Sequence, residues 1–336
     1  IFHVVIMKKN KIAVQIFGHL RSYEKVFPYL DAHVLQPNDC DVFIHTWTEE
    51  EHRDICWHKK HVSNQHVEIK QTDLGKIKEL YSPKMIEIED NSKIDYPGFF
   101  NDSTNMPLRG IKAMSYAQIR VNKLRREYSK KNGIEYDFVL MIRPDVMPLA
   151  KLDFSKYLAE FSFSNSSSIH FTSGAHQHTV SNKKFDTPLA SDLFFFAKPS
   201  ILDHFFDLKE NNFEYFYIDF PRVNMGGIRA PEACFIEALY QSGAYPRFYE
   251  FPYAVIRVSG SNHIKANLSS LPDFSRELFP PSELNNSEQE DKNSLFYLLL
   301  SRFSNNRIEK IQKQIMRMKR QLDTIGDKLQ GIRDNR

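Results

Sequence analysis

"YDFVLMIRPDVMPL", residues Tyr136 to Leu149, joins a run of β-branched and large apolar residues to an abrupt ending in Arg143, Pro144 and Asp145. Such a run predicts a buried strand, and the proline ends its pairing. The strand therefore delivers an arginine and a carboxylate to one edge of its sheet. Working outward, "KIAVQIFG" (Lys11–Gly18) and "DVFIHTW" (Asp41–Trp47) are further short β-rich runs, and "HLRSYEKVFPYLDAHVL" between them carries apolar residues near helical spacing. "MIEIED" (Met85–Asp90) predicts a third strand. A longer helix follows, with Ile111, Met114, Ala117, Val121, Leu124 and Tyr128 three or four apart and "KKNG" closing it before the Tyr136 strand.

This alternation of strand and helix predicts an α/β fold: a mixed, mainly parallel sheet of Rossmann-like kind with helices on both faces, whose ligand sites lie beyond the carboxyl ends of the strands. The residues to watch are then "GHLR" (Gly18–Arg21), "HTW" (His45–Trp47) and "RPD" (Arg143–Asp145). The second half reads as "SIHFTS" (Ser168–Ser173), a polar loop "GAHQHTVSNKKFDTP", the strand "DLFFFAKP" (Asp192–Pro199), one helix beginning at Ser200 and another over Pro231–Ser242. It is expected to continue the sheet and build a second side of the site. Residues 7–280 form the catalytic domain of this reading, with a nucleotide-binding half at 7–150 and an acceptor half at 151–280. Residues 281–304 make a polar linker and short helix.

From Ile308 onward, Ile311, Ile315, Met318, Leu322, Ile325, Leu329 and Ile332 recur at alternating steps of three and four, which predicts a coiled-coil helix over 305–336. Its core positions lack the Ile-at-a, Leu-at-d pattern of dimers, so a homo-oligomeric trimer or tetramer is expected. A lone amphipathic helix packed on its own domain is the ordinary alternative. The outer face is mildly basic, which allows peripheral contact with anionic lipid at the inner membrane.

With 45 basic and 42 acidic residues the net charge is only +3, which gives no case for a nucleic-acid partner. Three widely spaced cysteines, Cys40, Cys56 and Cys234, with no C-x-x-C pair, fit a reducing compartment, and the cytoplasm is the expected location. No apolar run approaches the roughly 20 residues needed to cross a bilayer. "IFHVVIMKKNK" has its apolar residues ahead of its basic ones, the reverse of a secretory signal, and Met7 is the expected natural start.

There is no P-loop and no G-x-G-x-x-G after a strand, and the chain holds only 12 glycines, so phosphate must be held by side chains or helix ends. Arg21 offers phosphate a fork of donors, and Gly18 lets the backbone approach a ligand at the end of the first strand. A simple turn and a surface ion pair account for the same two residues equally well. Asp145 at an open strand edge suits a divalent cation, with Arg143 binding phosphate or orienting it; an internal Arg143–Asp145 ion pair is the alternative. The clustered histidines form no H-E-x-x-H, so zinc hydrolysis has no support. Trp47, Tyr96, Phe99 and Phe100 suit stacking on a base or sugar, although core packing is the commoner fate of such residues.

"KIAVQIFGHLRSYE", "CDVFIHTW", "GIKAMSYAQIRVNKLRREYSKKNGIEYDFVLMIRPDV", "DLFFFAKPSILDHFFDL" and "RAPEACFIEAL", taken in order, resemble bacterial capsule and lipopolysaccharide glycosyltransferases of the WavE-like kind. The resemblance implies a GT-A-like fold, a nucleotide diphosphate-sugar donor and a glycan or lipid-linked glycan acceptor. It implies nucleotide-sugar binding by Phe17, Gly18, His19, Arg21, Arg109, Ser115 and Arg143, and Mn2+ or Mg2+ at Asp145. "RPD" departs from the D-x-D of such enzymes, since Arg143 replaces the first aspartate and takes part of its charge-neutralising role. An inverting transfer also needs a carboxylate base. Asp192 and Glu232 are the candidates; a strand-start turn residue and a helix-dipole partner are their respective structural alternatives. Transfer of another activated group, such as a phosphoryl-type decoration, and a non-catalytic glycan-binding scaffold are the competing functions.

Overall fold

The computed structural model describes residues 10–51, 68–96, 108–152, 154, 168–171, 176–180, 183–187, 192–211, 242–248, 251–258 and 263–265. The chain divides into two compact units, Ile1–Ser287 and Glu288–Arg336. The second unit, with the expected coiled coil, lies outside the described residues, as do Glu232, Cys56, Cys234 and all but the last residue of the expected Pro231–Ser242 helix.

The apolar runs read from the sequence become the centre of the main sheet. β1 (Lys11–Phe17) pairs in parallel with β2 (Asp39–Trp47) on one side and β4 (Phe138–Ile142) on the other, and β2 pairs in parallel with β3 (Met85–Glu89). The second half continues this sheet through β6 (Ser168–Phe171), β9 (Phe194–Ala197) and β10 (Tyr245–Phe248), giving the order β10-β6-β9-β4-β1-β2-β3. β9 runs antiparallel to β4 and β6, and the other pairings are parallel. All five residues of β4 are buried, as expected for a strand covered on both faces.

Period-two alternation splits the strands between two cores. Ala13, Phe17, Phe43, Trp47, Val139 and Met141 face helix α3 (Leu108–Asn132) and helix α4 (Pro199–Asn211). Ile12, Val14, Ile16, Ile44 and Leu140 face the opposite way, toward helices α1 (Tyr23–Leu30) and α2 (Leu74–Tyr81). The expected helices on both faces are therefore present. Gly133 closes α3 with φ +63°, the left-handed residue that "KKNG" foretells. Among the described residues, no helix is long and apolar enough to cross a membrane.

A second sheet decides the shape of the site. β5 (Val146–Pro148) starts directly after Asp145 and pairs antiparallel with β11 (Tyr253–Val255), which pairs with β12 (His263–Lys265). Met147, Leu149, Ala254 and Ile256 pack with Val26 of α1. The polar stretch read as a loop is partly a hairpin: β7 (His176–Val180) pairs antiparallel with β8 (Lys183–Thr187). Its polar sequence hides the strands because their alternation is not one of apolar and polar residues.

α3 departs from a simple amphipathic helix. It buries Ala117, Val121 and Leu124 as expected, but also Lys112, Ser115, Gln118, Asn122 and Arg125. Contacts with both the sheet and α4 explain why more than one stripe is enclosed. Gln15 Nε2 donates to Asn122 Oδ1 at 3.2 Å and Asn122 Nδ2 to Asp203 Oδ1 at 2.9 Å, and Arg125 pairs with the same Asp203. Polar groups in the interior are thus partly matched to each other, while Gln15 Oε1, Ser115 Oγ and Arg125 Nε are buried without a hydrogen-bond partner.

Phe196 of β9 ties the two halves together. It stacks on His170 with ring centroids 4.8 Å apart and meets Phe154 and Phe138 edge-on at 5.0 and 5.9 Å. Phe196→Ala is expected to lower stability by about 3–5 kcal/mol, read as a lower urea midpoint at an unchanged slope. A loss under about 1 kcal/mol would contradict this packing role.

Candidate functional site

The strand order turns at β1: β2 and β3 lie to one side, β4 and the second half to the other. In an open α/β sheet, the crevice beyond the carboxyl ends of two such strands is the usual ligand site. Here the segment after β1 carries Arg21 and the segment after β4 carries Arg143 and Asp145.

Asp145 is completely buried. Its Oδ2 accepts from Arg21 Nη1 at 2.8 Å and from Arg257 Nη1 at 2.9 Å, and its Oδ1 accepts from Arg143 Nε at 2.8 Å. Arg143 Nη2 also donates to Oδ2. Burial alone would raise the Asp145 carboxyl pKa, but Arg143, Arg21 and Arg257 together hold it well below the usual carboxylate range. Arg21 is shared, since its Nε donates to Glu51 Oε1 at 3.1 Å. Burial works against its charge, yet Asp145 and Glu51 push its pKa above the ordinary arginine value. Arg257 is brought down to about 10 by burial and by repulsion from Arg143, against the pull of Asp145.

Local backbone explains how three guanidiniums reach one carboxylate. Gly18 has φ +91°, its N–H donates to His45 O at 3.1 Å and its carbonyl accepts from Thr46 Oγ1 at 2.9 Å. A Cβ there would meet nothing within 4 Å, so the glycine serves the turn rather than a close approach. Arg21 also has positive φ, +52°, and its N–H donates to Glu50 O at 2.8 Å. Arg257 arrives by register: Val255 pairs with Val146, and Ile256 N–H then donates to Asp145 O at 2.8 Å.

Asp192 reaches the same crevice because β9 starts where β4 ends, and Arg143 N–H donates to Leu193 O at 3.0 Å. Burial raises the Asp192 pKa, opposed by the charges of Arg143, Lys209 and Arg257. Behind it, Gln118 Nε2 donates to Asp192 O at 3.3 Å and Lys209 Nζ donates to Gln118 Oε1 at 2.8 Å. Burial lowers the Lys209 amine to about 7. Burial thus drives both ends of this set toward their neutral forms.

The other expected residues lie elsewhere. Phe17 is buried in the α3-facing core and Ser115 is buried on α3, so neither side chain lines an open surface. His19 Nδ1 sits 2.9 Å from Glu49 O, and its ring lies 6.2 Å from that of Trp47. Arg109 donates to Asn91 O at 2.8 Å and lies over the Tyr96 ring, away from the Asp145 group in its bonding.

Within the carboxyl-terminal halves of β2 and β3, His45 of "HTW" meets two glutamates that the sequence reading did not single out. His45 Nε2 is 2.8 Å from Glu89 Oε2, Tyr116 donates to Glu89 Oε1 at 3.1 Å, and Arg120 Nε donates to Glu87 Oε2 at 2.9 Å. One ligand atom from each of His45, Glu87 and Glu89 falls within 4.8 Å of the others, the spacing of a metal cluster. Arg120 already neutralises Glu87, and a hydrogen bond from His45, helped by Tyr116 and Arg120 against burial, lowers the Glu89 pKa. The alternating glutamates of "MIEIE" are the signal that could have found it, because His45 pairs with Glu87 and Trp47 with Glu89 in the parallel register. Arg257 and Glu51 carried no comparable signal.

No family model and no curated protein matches the chain. Among solved structures it is similar to A197 from STIV at 11% identity and a TM-score of 0.30, over 77% of this chain and 95% of that one. At that level the likeness carries no argument about fold or function.

Asp145→Asn keeps the shape and removes the charge. Taking their shared carboxylate charge away from Arg21, Arg143 and Arg257 is expected to cost about 3–5 kcal/mol at neutral pH. The Asp145 pKa is lowered on folding, so its contribution is complete above the unfolded value of about 3.9 and is lost as pH falls below that toward the depressed folded value. Urea denaturation of both proteins across the acid range reads this directly; a gap that closes between about pH 7 and 5 would contradict the assignment.

Proposed function

We propose that the chain is a nucleotide-sugar-dependent glycosyltransferase with a GT-A-like catalytic domain, which moves a sugar onto a bacterial capsule or lipopolysaccharide glycan. The observation that carries this reading is the meeting of Arg21, Arg143 and Arg257 on Asp145, with Asp192 within the charges of Arg143 and Arg257, at the crevice where the strand order turns. A glycosyl transfer from a nucleotide diphosphate-sugar develops negative charge on the departing diphosphate, and preorganised donors aimed at that charge are the largest aid a protein gives such a step. The continuous sheet is also in keeping with it: β3-β2-β1-β4 forms a nucleotide side, and β9-β6-β10 extends it into an acceptor side.

In the proposed reaction the bond between the sugar's anomeric carbon and the diphosphate oxygen breaks, and a bond to the acceptor hydroxyl forms. The arginines neutralise the diphosphate. The acceptor's proton passes to a carboxylate, for which Asp192 is the candidate among the described residues and Glu232 the one outside them. Burial favours the neutral form of Asp192 and so raises its affinity for a proton, as a base near neutral pH requires. A divalent cation at Asp145 is not part of the proposal, because both carboxylate oxygens already accept from guanidiniums.

Incubation of the full chain with a panel of nucleotide diphosphate-sugars is expected to release nucleoside diphosphate from at least one, faster with a glycan acceptor. Asp192→Asn is expected to slow that turnover by about 100-fold or more with the fold intact by circular dichroism. Absence of release and of calorimetric binding across the panel would remove the reading. The heptads of 305–336 are proposed to assemble the enzyme as a trimer or tetramer; deletion after Ser304 should lower the mass in light scattering, and an unchanged mass counts against it.

A further inference from the structure

The divalent cation that a D-x-D site would hold does not fit the residues present. A cation at Asp145 would replace guanidinium donors on a carboxylate that is fully enclosed, and would enter a group of three positive charges. No second carboxylate from "RPD" is there to help, since its first residue is Arg143. A carboxylate whose two oxygens both accept from arginines is a poor ligand for a hard cation, which needs several oxygens.

The same arrangement is well matched to an anion. Three guanidiniums carry about fifteen N–H donors, whereas one carboxylate offers about four lone-pair positions. Glu51 takes one further donor from Arg21, and the Asp192 carboxyl feels the charges of Arg143 and Arg257, so the three guanidiniums are gathered among carboxylates that hold them together. The side chain of Asp145 has no exposure, while those of Arg21, Arg143 and Arg257 keep 13%, 14% and 26%. The carboxylate therefore lies deeper than the three arginine side chains that surround it. Arg21 is aimed by an αL backbone and Arg257 by a β ladder, so two of the three directions are set by the main chain.

We infer that Arg21, Arg143 and Arg257 form a cation-independent diphosphate site, with Asp145 acting as the positioning residue that holds the three guanidiniums in place. This rests on the reading above in taking the diphosphate of a nucleotide-sugar as the natural ligand, but binding is testable without turnover. The three arginines come from the loop after β1, the end of β4 and the end of β11, so the site exists only in the folded chain.

The test is calorimetry of the full chain with inorganic pyrophosphate, in EDTA and again with Mg2+. Binding in EDTA as tight as with Mg2+ is expected. Arg257→Gln is expected to weaken it by about tenfold or more, the loss of one charge-assisted contact. Arg126→Gln, which breaks a pair with Asp207 on the α3–α4 side, should leave it unchanged. Pyrophosphate binding that requires Mg2+ or Mn2+ overturns the inference, as does no binding in either buffer or full affinity in a folded Arg257→Gln variant. The wild-type comparison stands even if that variant does not fold. Cation-free pyrophosphate binding with no release from any nucleotide-sugar keeps this site and removes the glycosyltransferase reading. Turnover only with added cation does the reverse.

Discussion

A single enclosed carboxylate, Asp145, holds three parts of the chain that are far apart in sequence. Arg21 is 124 residues away and Arg257 112, yet both donate to the same oxygen. A charge with no exposure is tolerated only where the opposing charges and hydrogen bonds outweigh its desolvation. Here that compensation comes from the loop after β1, from the end of β4 itself and from the end of β11. The main sheet and the small sheet are consequently fixed to one another at the point where the strand order turns. Ser22 Oγ, which donates to Ile256 O at 2.6 Å, adds a second tie between the same segments.

A second constraint runs through the interior from α4 to the same crevice. Lys209 reaches Gln118, and Gln118 reaches the backbone of Asp192. A buried amine brought down to about 7 and a buried carboxyl pushed up both respond to the same exclusion of water. The polar inner stripe of α3 thereby joins the Lys209 amine to the backbone of Asp192 in one chain of hydrogen bonds. An apolar residue in place of Gln118 would fill the space but break the connection.

What could be read from the sequence follows the range of the interaction involved. The four central strands and the long helix were legible because their apolar periodicities are local, and the charged ending of "FVLMIRPDV" marked the right edge of the sheet. Arg21, Arg143 and Asp145 were placed at one crevice by the rule for parallel sheets alone. Arg257 was not legible, because nothing near "YAVIRV" states that it pairs with the three residues after Asp145. Gly18 was read as a residue that lets a ligand approach, whereas its positive φ is what the turn needs. Phe17 and Ser115 show the limit of assigning roles by position: alternation and helical phase turn their side chains into the core.

The arginine in "RPD" changes what kind of device the strand end is. A metal site places positive charge by binding it, so its strength depends on cation supply and on the number of oxygen ligands. An arginine site carries its charge in the chain, and its strength depends on how well the guanidiniums are held before the anion arrives. Asp145 does that holding at a cost, since each bond it accepts is one donor not aimed outward. The balance favours the arrangement because one small carboxylate cannot occupy all the donors of three guanidiniums, and because removing it would let the three like charges move apart. The αL backbone at Arg21, which costs about 1–2 kcal/mol for an L-residue, is consistent with this. The chain accepts local strain to direct one guanidinium toward Asp145, and the ion pairs of Arg21 with Asp145 and Glu51 offset it. Held in this way, the guanidiniums would meet the proposed diphosphate with little rearrangement and without an ion from solution.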